Sequence, residues 1–295
     1  MIQFDVPEID YDRYTNRQLA AVPLAVLAVA LVVIAGWWIV TGAPATLGLD
    51  FVGGTELRIQ TTDGPDEISQ AFDENVESIS TVGGESNTYL VQFSSSDSEA
   101  LAQQANENLE PVPDAEDGEV VSQESSIPPT FGQENKTLAL WGLVIAFLGM
   151  SVIAFILFRT FVPSIAIVIS AFSDVMIPLA VMNLAGIPLS LGTVAALLML
   201  IGYSVDSDIL LNNHILRRRG GFYESTRRAM KTGVTMTVTS MAAMTVMTIV
   251  ATFFGIGLLS DIGLVLVVGL AADLMNTYML NLSLLRWYKF EGVAR

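Results

Sequence analysis

Long apolar stretches dominate this chain and alternate with short polar segments. A helix needs about 20 mostly apolar residues to cross a bilayer, and six stretches have a length of that order. They are residues 19–40, 137–158, 161–185, 189–211, 234–254 and 260–285. Because lipid offers no water to satisfy backbone groups, we expect each stretch to be a helix. The pattern predicts an α-helical polytopic membrane protein with one span, a polar segment and five further spans.

The polar segment between the first and second spans has the pattern of a small α+β domain. Strand-like runs occur at residues 56–61, 78–82, 88–93 and 119–123. Amphipathic helices are predicted at 65–76 and at 97–109, with Asp97 as the N-cap of the second. The order β-α-β-β-α-β predicts a ferredoxin-like sandwich. Residues 125–135 are predicted to be a linker that returns to the membrane.

The distribution of basic residues predicts the orientation of the chain. All Lys and Arg residues fall on one side of the six-span arrangement, except Arg58 and Lys136. Basic residues concentrate on the cytoplasmic side of membrane proteins, so both termini are expected in the cytoplasm of a multi-pass cell-membrane protein. The expected segments are a cytoplasmic start (1–18), the first helix (19–40), an extracellular domain (41–135), a five-helix membrane domain (136–285) and a cytoplasmic tail (286–295).

Composition narrows the possible functions further. The net charge is −16, lysine is scarce, and the acids crowd the outer segment. This balance is typical of proteins adapted to high salt, although an ordinary acidic ectodomain is the alternative. No basic surface lies outside the predicted cytoplasmic loop, which argues against nucleic acid as a partner. The absence of cysteine excludes thiol chemistry. No nucleotide-binding or HExxH motif occurs, so no cofactor, metal ion or catalytic residue is predicted.

Four aspartates lie inside predicted spans: Asp174, Asp206, Asp208 and Asp273. A carboxylate in hydrocarbon costs roughly 2.5–3.5 kcal/mol even on insertion scales, so these residues indicate ion coupling or specific helix contacts. Asp206 and Asp208 lie about 200° apart around a helix. At most one is expected to line an ion path, while the other contacts a second helix or a partner subunit. Asp174 lies near Pro178. A polar pocket at a helix kink and a purely structural hydrogen bond to a neighbouring helix are equally open for it.

Other polar and small residues in the spans carry weaker signals. The fifth span is rich in threonine, and these hydroxyls either bond back to their own helix or form a polar wall opposite Asp206 or Asp208. Two pairs of residues lie four positions apart, Gly192 with Ala196 and Gly269 with Asp273, and this spacing predicts close helix packing.

Two motifs resemble the SecD/SecF family of protein-export membrane subunits. Residues 48–59, GLDFVGGTELRI, closely resemble the segment that follows the first span in this family. Residues 201–220, IGYSVDSDILLNNHILRRRG, resemble the fourth-span motif of its SecF members, whose topology also agrees with this chain over nearly its whole length. The residues that carry the resemblance are Asp50, Phe51, Gly53, Gly54, Gly202, Tyr203 and Ser204. With its acidic composition, the chain resembles a member of this family from a salt-loving archaeon.

The resemblance implies half of a transporter fold of the resistance-nodulation-division type, with a SecD-like subunit supplying the other half. It further implies assistance to the Sec translocation channel and to the translocating polypeptide from the outer side of the lipid bilayer, driven by an ion gradient. The two glycines, Gly53 and Gly54, are expected to adopt positive φ where the first span joins the outer domain.

The fourth-span motif departs from the bacterial pattern, which runs Gly-Tyr-Ser-x-Asn-Asp-Thr. Asp206 stands at the Asn position, Ser207 at the Asp position and Asp208 at the Thr position. The carboxylate is therefore displaced by one residue, or about 100° around the helix.

Two other functions remain open at the level of sequence. One is an independent small-molecule transporter of the same fold, which would need to form a homodimer. The other is an intramembrane aspartyl protease, in which Asp174 or Asp273 would face Asp206 and share a proton. The protease hypothesis lacks its Gly-x-Gly-Asp signature and leaves residues 48–59 unexplained. The sequence does not distinguish protons from sodium ions as the coupling species.

Overall fold

The computed structural model describes residues 13–81, 87–113, 118–217, 221–254 and 256–292, without the side chains of Ser80 and Arg217. The beginning of the predicted segment 1–18, the end of the tail 286–295 and the last residues of the motif 201–220 lie outside these ranges.

Ten α-helices and four β-strands follow one another along the described residues. In sequence these are α1 (Asn16–Thr41), α2 (Leu49–Val52), β1 (Gly54–Gln60), α3 (Pro65–Gln70), β2 (Val76–Thr81), β3 (Thr88–Phe93), α4 (Ser98–Asn108), β4 (Val121–Ile127), α5 (Pro129–Phe158), α6 (Phe161–Ala185), α7 (Leu191–Arg217), α8 (Phe222–Phe253), α9 (Gly257–Met275) and α10 (Leu282–Trp287). A π-helical segment, Asn276–Asn281, joins α9 to α10 without a break, and a second, Tyr288–Gly292, follows α10.

Within the described residues, six helices are long and apolar enough to cross a membrane, as the hydropathy pattern predicts. They are α1, α5, α6, α7, α8 and the continuous run from α9 to Gly292. Two of the predicted close-packing glycines are confirmed. A Cβ at Gly269 would overlap the side chain of Leu200, and a Cβ at Gly192 would come within 2.7 Å of Leu258 Cδ1. Small residues therefore bring α7 and α9 together.

Helices α6, α7 and α9 form the centre of the membrane part. Their facing side chains are buried, including Ile167, Leu197 and Val265. By contrast, α5 and α8 present many exposed apolar residues, such as Ile145 and Ile249. The core is therefore built around the three helices that carry Asp174, Asp208 and Asp273.

The strands between α1 and α5 form one antiparallel sheet in the order β2-β3-β1-β4. Its central strand β1 alternates buried and half-buried residues, because one face packs against α3 and α4. The sequence order of strands and helices agrees with the predicted β-α-β-β-α-β pattern. Asp97 accepts a hydrogen bond from the Ala100 amide, which confirms it as the N-cap of α4.

Two local predictions in this region are wrong. The helix predicted over 65–76 ends at Gln70, because the chain must turn before β2 begins at Val76. Residues 125–135 are not a linker: β4 runs to Ile127 because it pairs with β1, and α5 begins at Pro129. Proline suits the first helical turn, where its missing amide hydrogen is not needed.

The segment that joins the sheet to the membrane helices is tightly packed. Gly53 and Gly54 have φ values of 80° and 121°, which confirms the expected positive φ. The backbone of α2 and Gly53 lies directly against Gly132 in α5, where an added Cβ would come within 2.9 Å of the Gly53 nitrogen.

This packing predicts a difference between two glycines of one helix. Gly132→Ala should destabilise the protein by about 1–3 kcal/mol, because its methyl group would overpack the backbone of residues 51–53. Gly142→Ala, whose Cβ would meet nothing within 4 Å, should be neutral or slightly stabilising. Thermal unfolding of the two purified variants in detergent gives the comparison. Equal melting temperatures would show that the contact between α2 and α5 contributes nothing to stability.

Candidate functional site

Three carboxyl groups meet in the buried centre of the membrane part. Asp174 comes from α6, Asp208 from α7 and Asp273 from α9, and their exposed fractions are 0%, 0% and 1%. Each lies on the face of its helix that packs against the other two helices. The structure thus brings together three of the four aspartates that the sequence singles out.

Asp174 is held by hydrogen bonds from two neighbouring helices. Its Oδ2 accepts a bond of 2.6 Å from the Ser204 hydroxyl on α7. Its Oδ1 accepts a bond of 2.6 Å from the Asn276 side-chain amide, at the start of the π-helical segment. A single carboxyl group therefore joins α6, α7 and the last span.

Asp208 makes its contacts with the π-helical segment. Its Oδ1 accepts hydrogen bonds of 2.8 Å from both the Thr277 hydroxyl and the Asn281 side-chain amide. Residues 277 and 281 lie on the same face because they are about one helical turn apart. Isolated π turns occur frequently at functional sites, and here the π turn carries both residues that donate to Asp208 Oδ1.

Asp208 and Asp273 share the hydroxyl of Thr277. The Thr277 oxygen lies 2.8 Å from Asp208 Oδ1 and 3.2 Å from Asp273 Oδ1. A threonine hydroxyl carries one proton, so it donates to one carboxyl oxygen at a time. Both contacts are full hydrogen bonds at the same time only when at least one of the two carboxyl groups is protonated and donates to the Thr277 oxygen. The Ser207 hydroxyl, 3.4 Å away, is a third polar neighbour of this oxygen. The arrangement is therefore complementary to acids that hold at least one proton.

Several buried polar atoms around the three aspartates have no hydrogen-bond partner among the described residues. Most buried polar groups in proteins are paired, so this concentration in an apolar core distinguishes the surroundings of the three aspartates from the rest of the bundle. The atoms are Asp208 Oδ2, Asp273 Oδ2, Ser170 Oγ, Ser173 Oγ, Asn276 Oδ1, Asn281 Oδ1 and both side-chain atoms of Asn212. Across the ranges that the structure describes, no group of three or more His, Cys, Asp and Glu side chains is placed to hold a metal ion.

Asp206 lies apart from this cluster. It is on the exposed face of α7, in line with the exposed residues Met199 and Gly202. Asp208, by contrast, is fully buried. The helix thus turns its two carboxyl groups to opposite sides, as their spacing predicts.

The motif residues fall into two groups. Ser204 is part of the cluster, and the hydroxyl of its neighbour Tyr203 donates to Thr237 on α8 across 3.3 Å. At the other end of α7, the Asp50 carboxylate accepts a hydrogen bond of 2.8 Å from the Leu191 amide. Phe51 beside it is 1% exposed. The first motif therefore contacts the start of α7, and the second motif is part of α7 itself and contributes to its buried face.

The threonines of α8 bond to their own helix, which confirms one of the two hypotheses for them. Thr235, Thr237, Thr239, Thr245 and Thr248 each donate to the carbonyl four residues earlier. Only Thr237 is also seen to contact the fourth-span motif, through Tyr203. The described threonines therefore do not form a polar wall around Asp208.

Sequence reasoning missed Thr277 and Asn281. A signal was present: Asp273, Thr277 and Asn281 follow each other at intervals of four residues in an otherwise apolar span. Such spacing places polar groups on one helical face. The partner relationship with Asp208, however, depends on how α7 and the last span pack.

Sequence comparisons agree with these motifs. The family described as "Protein export membrane protein SecD/SecF, C-terminal" matches residues 110–291, and the "SecD/SecF GG Motif" matches residues 38–64. The protein-export membrane protein SecF of Haloferax volcanii is 64% identical over 296 residues, covering 100% of both chains. SecF of Haloquadratum walsbyi is 58% identical, again over 100% of both chains. Both relatives are haloarchaeal, in agreement with the acid-rich composition.

A solved structure has the same fold. The crystal structure of SecDF, a translocon-associated membrane protein from Thermus thermophilus, superposes with a TM-score of 0.73 at 21% identity. The match covers 98% of this chain and 40% of that one, so this chain spans less than half of the solved protein. From the family matches and the full-length relatives, the chain belongs to the SecD/SecF family of protein-export membrane proteins, among its SecF members.

Proposed function

We propose that this chain is an accessory membrane subunit of the Sec protein-export machinery that acts with a SecD-like subunit and couples export to ion movement. Full-length similarity to SecF supports the export role. The observation that carries the coupling role is the Thr277 hydroxyl shared by Asp208 and Asp273. No observation favours an independent transporter or an aspartyl protease.

Protons are the coupling ion in this proposal. Because one threonine hydroxyl serves two carboxyl groups, gain or loss of one proton reverses the direction of a hydrogen bond between α7 and the last span. An ionised carboxylate in the membrane is costly, so the two protonation states favour different packing of these helices. Asp174 joins the same two elements through Ser204 and Asn276, and it is therefore included in the coupling site.

The exposed face around Asp206 is the proposed docking surface for the SecD-like subunit. This surface consists of the exposed stripe of α7, which includes Met199, Gly202 and Asp206, and of the largely exposed helices α5 and α8 beside it. A carboxylate facing hydrocarbon is unfavourable, and a donor or basic side chain on the partner would remove that cost. The match covers only 40% of the solved SecDF chain, so the remainder of that chain is large enough to include a subunit-sized partner for this surface.

The outer domain, residues 41–135, is proposed to lie outside the cell and to act on the translocating polypeptide near the Sec channel. Its strand order, β2-β3-β1-β4 with every pair antiparallel, supports a ferredoxin-like fold. The concentration of Lys and Arg on the opposite side supports cytoplasmic termini in segments 1–18 and 286–295. The segments 19–40 and 136–285 are then the first helix and the five-helix membrane domain.

Replacement of the two neighbouring aspartates should have sharply different effects. Asp208→Asn keeps an oxygen acceptor but cannot ionise, so gradient-dependent export should fall about tenfold, within the usual range of coupling effects. Asp206→Asn should retain most of the export rate, because Asp206 is outside the cluster and asparagine keeps an oxygen acceptor at the proposed docking surface. The measurement is secretion of a Sec substrate in a haloarchaeal host in which this chain replaces its own relative, with Asp66→Asn on the outer helix α3 as control. Equal phenotypes at positions 206 and 208 would contradict the assignment.

Loss of the Asp206 carboxylate should weaken partner binding. Asp206→Leu removes the polar group of the proposed docking surface. The Kd for a SecD-like subunit should rise about tenfold, equivalent to about 1.4 kcal/mol of binding free energy, and recovery of that subunit in a mild-detergent pull-down should fall. Asp66→Leu makes the same chemical change away from the membrane and serves as the matched control. Undiminished recovery with Asp206→Leu would remove this face as the docking surface.

A further inference from the structure

We infer that Asp50 is a positioning residue: it ties the outer domain to the start of α7 and so holds the helix that carries Ser204 and Asp208. The inference rests on the proposed function only for its export readout. Its structural part depends on the contacts of residues 44–54, which we call the junction segment, with the three helices α5, α6 and α7.

The start of α7 is already capped by its own residues. The Ser190 hydroxyl accepts a bond of 3.2 Å from the Thr193 amide, and the Thr193 hydroxyl accepts one of 2.8 Å from the Ser190 amide. This reciprocal pair resembles a capping box and satisfies local donors. The Leu191 amide is left over, and it donates a hydrogen bond of 2.8 Å to the Asp50 carboxylate, which belongs to a distant part of the chain. Asp50 is therefore a connection between segments rather than the local cap that starts the helix.

Backbone contacts reinforce the connection. The Gly48 amide donates to the Leu189 carbonyl at 2.8 Å, and the Leu189 amide donates to the Thr46 carbonyl at 2.7 Å. These bonds pair Leu47 with Leu189 in a parallel bridge. Gly48 suits this place because a Cβ there would approach the Leu189 carbonyl oxygen to 3.1 Å. The junction segment and the loop before α7 are thus joined along several consecutive residues.

The same segment also contacts α6 and the outer sheet. The Asn183 side-chain amide, near the end of α6, donates to the Pro44 carbonyl at 2.9 Å. At the other end of the segment, Gly54 begins β1, and an added Cβ there would overlap the Phe93 carbonyl in β3. The sheet is therefore connected through a short, closely packed segment to α6 and α7, which supply Asp174 and Asp208.

These contacts define a mechanical path. Movement of β1 relative to the membrane displaces Gly53 and α2, and Asp50 transmits the displacement to Leu191. Ser204 lies about 20 Å further along α7, at 1.5 Å per residue. Because a helix is stiff over this length, movement at its start reaches the hydrogen bond between Ser204 and Asp174.

Hydrogen exchange measures the tie directly on the purified full chain. Asp50→Ala removes the acceptor, so amides in the peptide covering residues 187–194 should exchange about tenfold faster than in the unmodified protein. Asp50→Asn keeps an oxygen acceptor and should retain most of the protection. Asp66→Ala, an exposed acid of the same domain, is the matched control and should change nothing. Asp50→Ser, which shortens the side chain, repeats the test if Asp50→Ala fails to fold. Unchanged exchange in the truncated variant would overturn the inference.

A disulfide rescue tests whether holding the two segments together is what Asp50 contributes. The chain contains no cysteine, so Leu47→Cys with Leu189→Cys would create a single defined pair across the bridge. In the Asp50→Ala background, export should fall when the pair is reduced and recover when it is oxidised. Failure of the oxidised pair to restore export, or normal export by Asp50→Ala alone despite faster exchange, would overturn the positioning role.

The two proposals can fail separately. In one case, Asp208→Asn exports normally, Asp50→Ala speeds exchange in residues 187–194, and the disulfide restores export. The proposed coupling site is then wrong, and the positioning role of Asp50 is supported. If Asp208→Asn abolishes gradient dependence while Asp50→Ala changes neither exchange nor export, the junction is wrong and the coupling site stands.

Discussion

The need to satisfy buried carboxyl groups inside a membrane constrains the rest of this structure. Three acids share the centre of the helix bundle, and they accept hydrogen bonds there from Ser204, Asn276, Thr277 and Asn281. An acid in hydrocarbon without such donors would be strongly disfavoured. The packing of α6 and α7 against the last span, and the π turn at Asn276–Asn281, bring these donors to the acids. The polar cluster therefore sets how the three central helices fit together.

The outer domain is joined to this bundle by packed backbone. Gly48, Gly53 and Gly132 each lie where a side chain would contact backbone atoms of another segment. The family motif after the first span thus has a physical meaning: glycine permits close approach, Phe51 fills the buried space, and Asp50 reaches the next helix. The same residues explain why the sheet and the membrane helices are positioned relative to each other without a long linker.

The sequence predicted the elements well where one periodic signal dominated. Six apolar stretches gave six helices, and the spacing of Asp206 and Asp208 correctly placed them on opposite sides of α7. The predicted linker at 125–135 is wrong because Pro128 and Pro129 mark the start of α5, and because β4 is held by pairing with β1. Thr277 and Asn281 were missed because a π turn and the packing of distant helices decide their partners. Which acid meets which donor is a tertiary property, and local pattern does not contain it.

The threonines of α8 have a consequence for the surface of the protein. Because their hydroxyls are engaged with carbonyls of their own helix, they present mainly methyl groups to the surroundings. The described part of the face around Asp206, formed by α5, α7 and α8, is then largely apolar. In a coiled coil, one buried polar residue among apolar neighbours fixes the axial register of the pair at some cost in stability. By the same reasoning, a helix that packs on this face is held at the height at which its own polar side chain meets the Asp206 carboxylate.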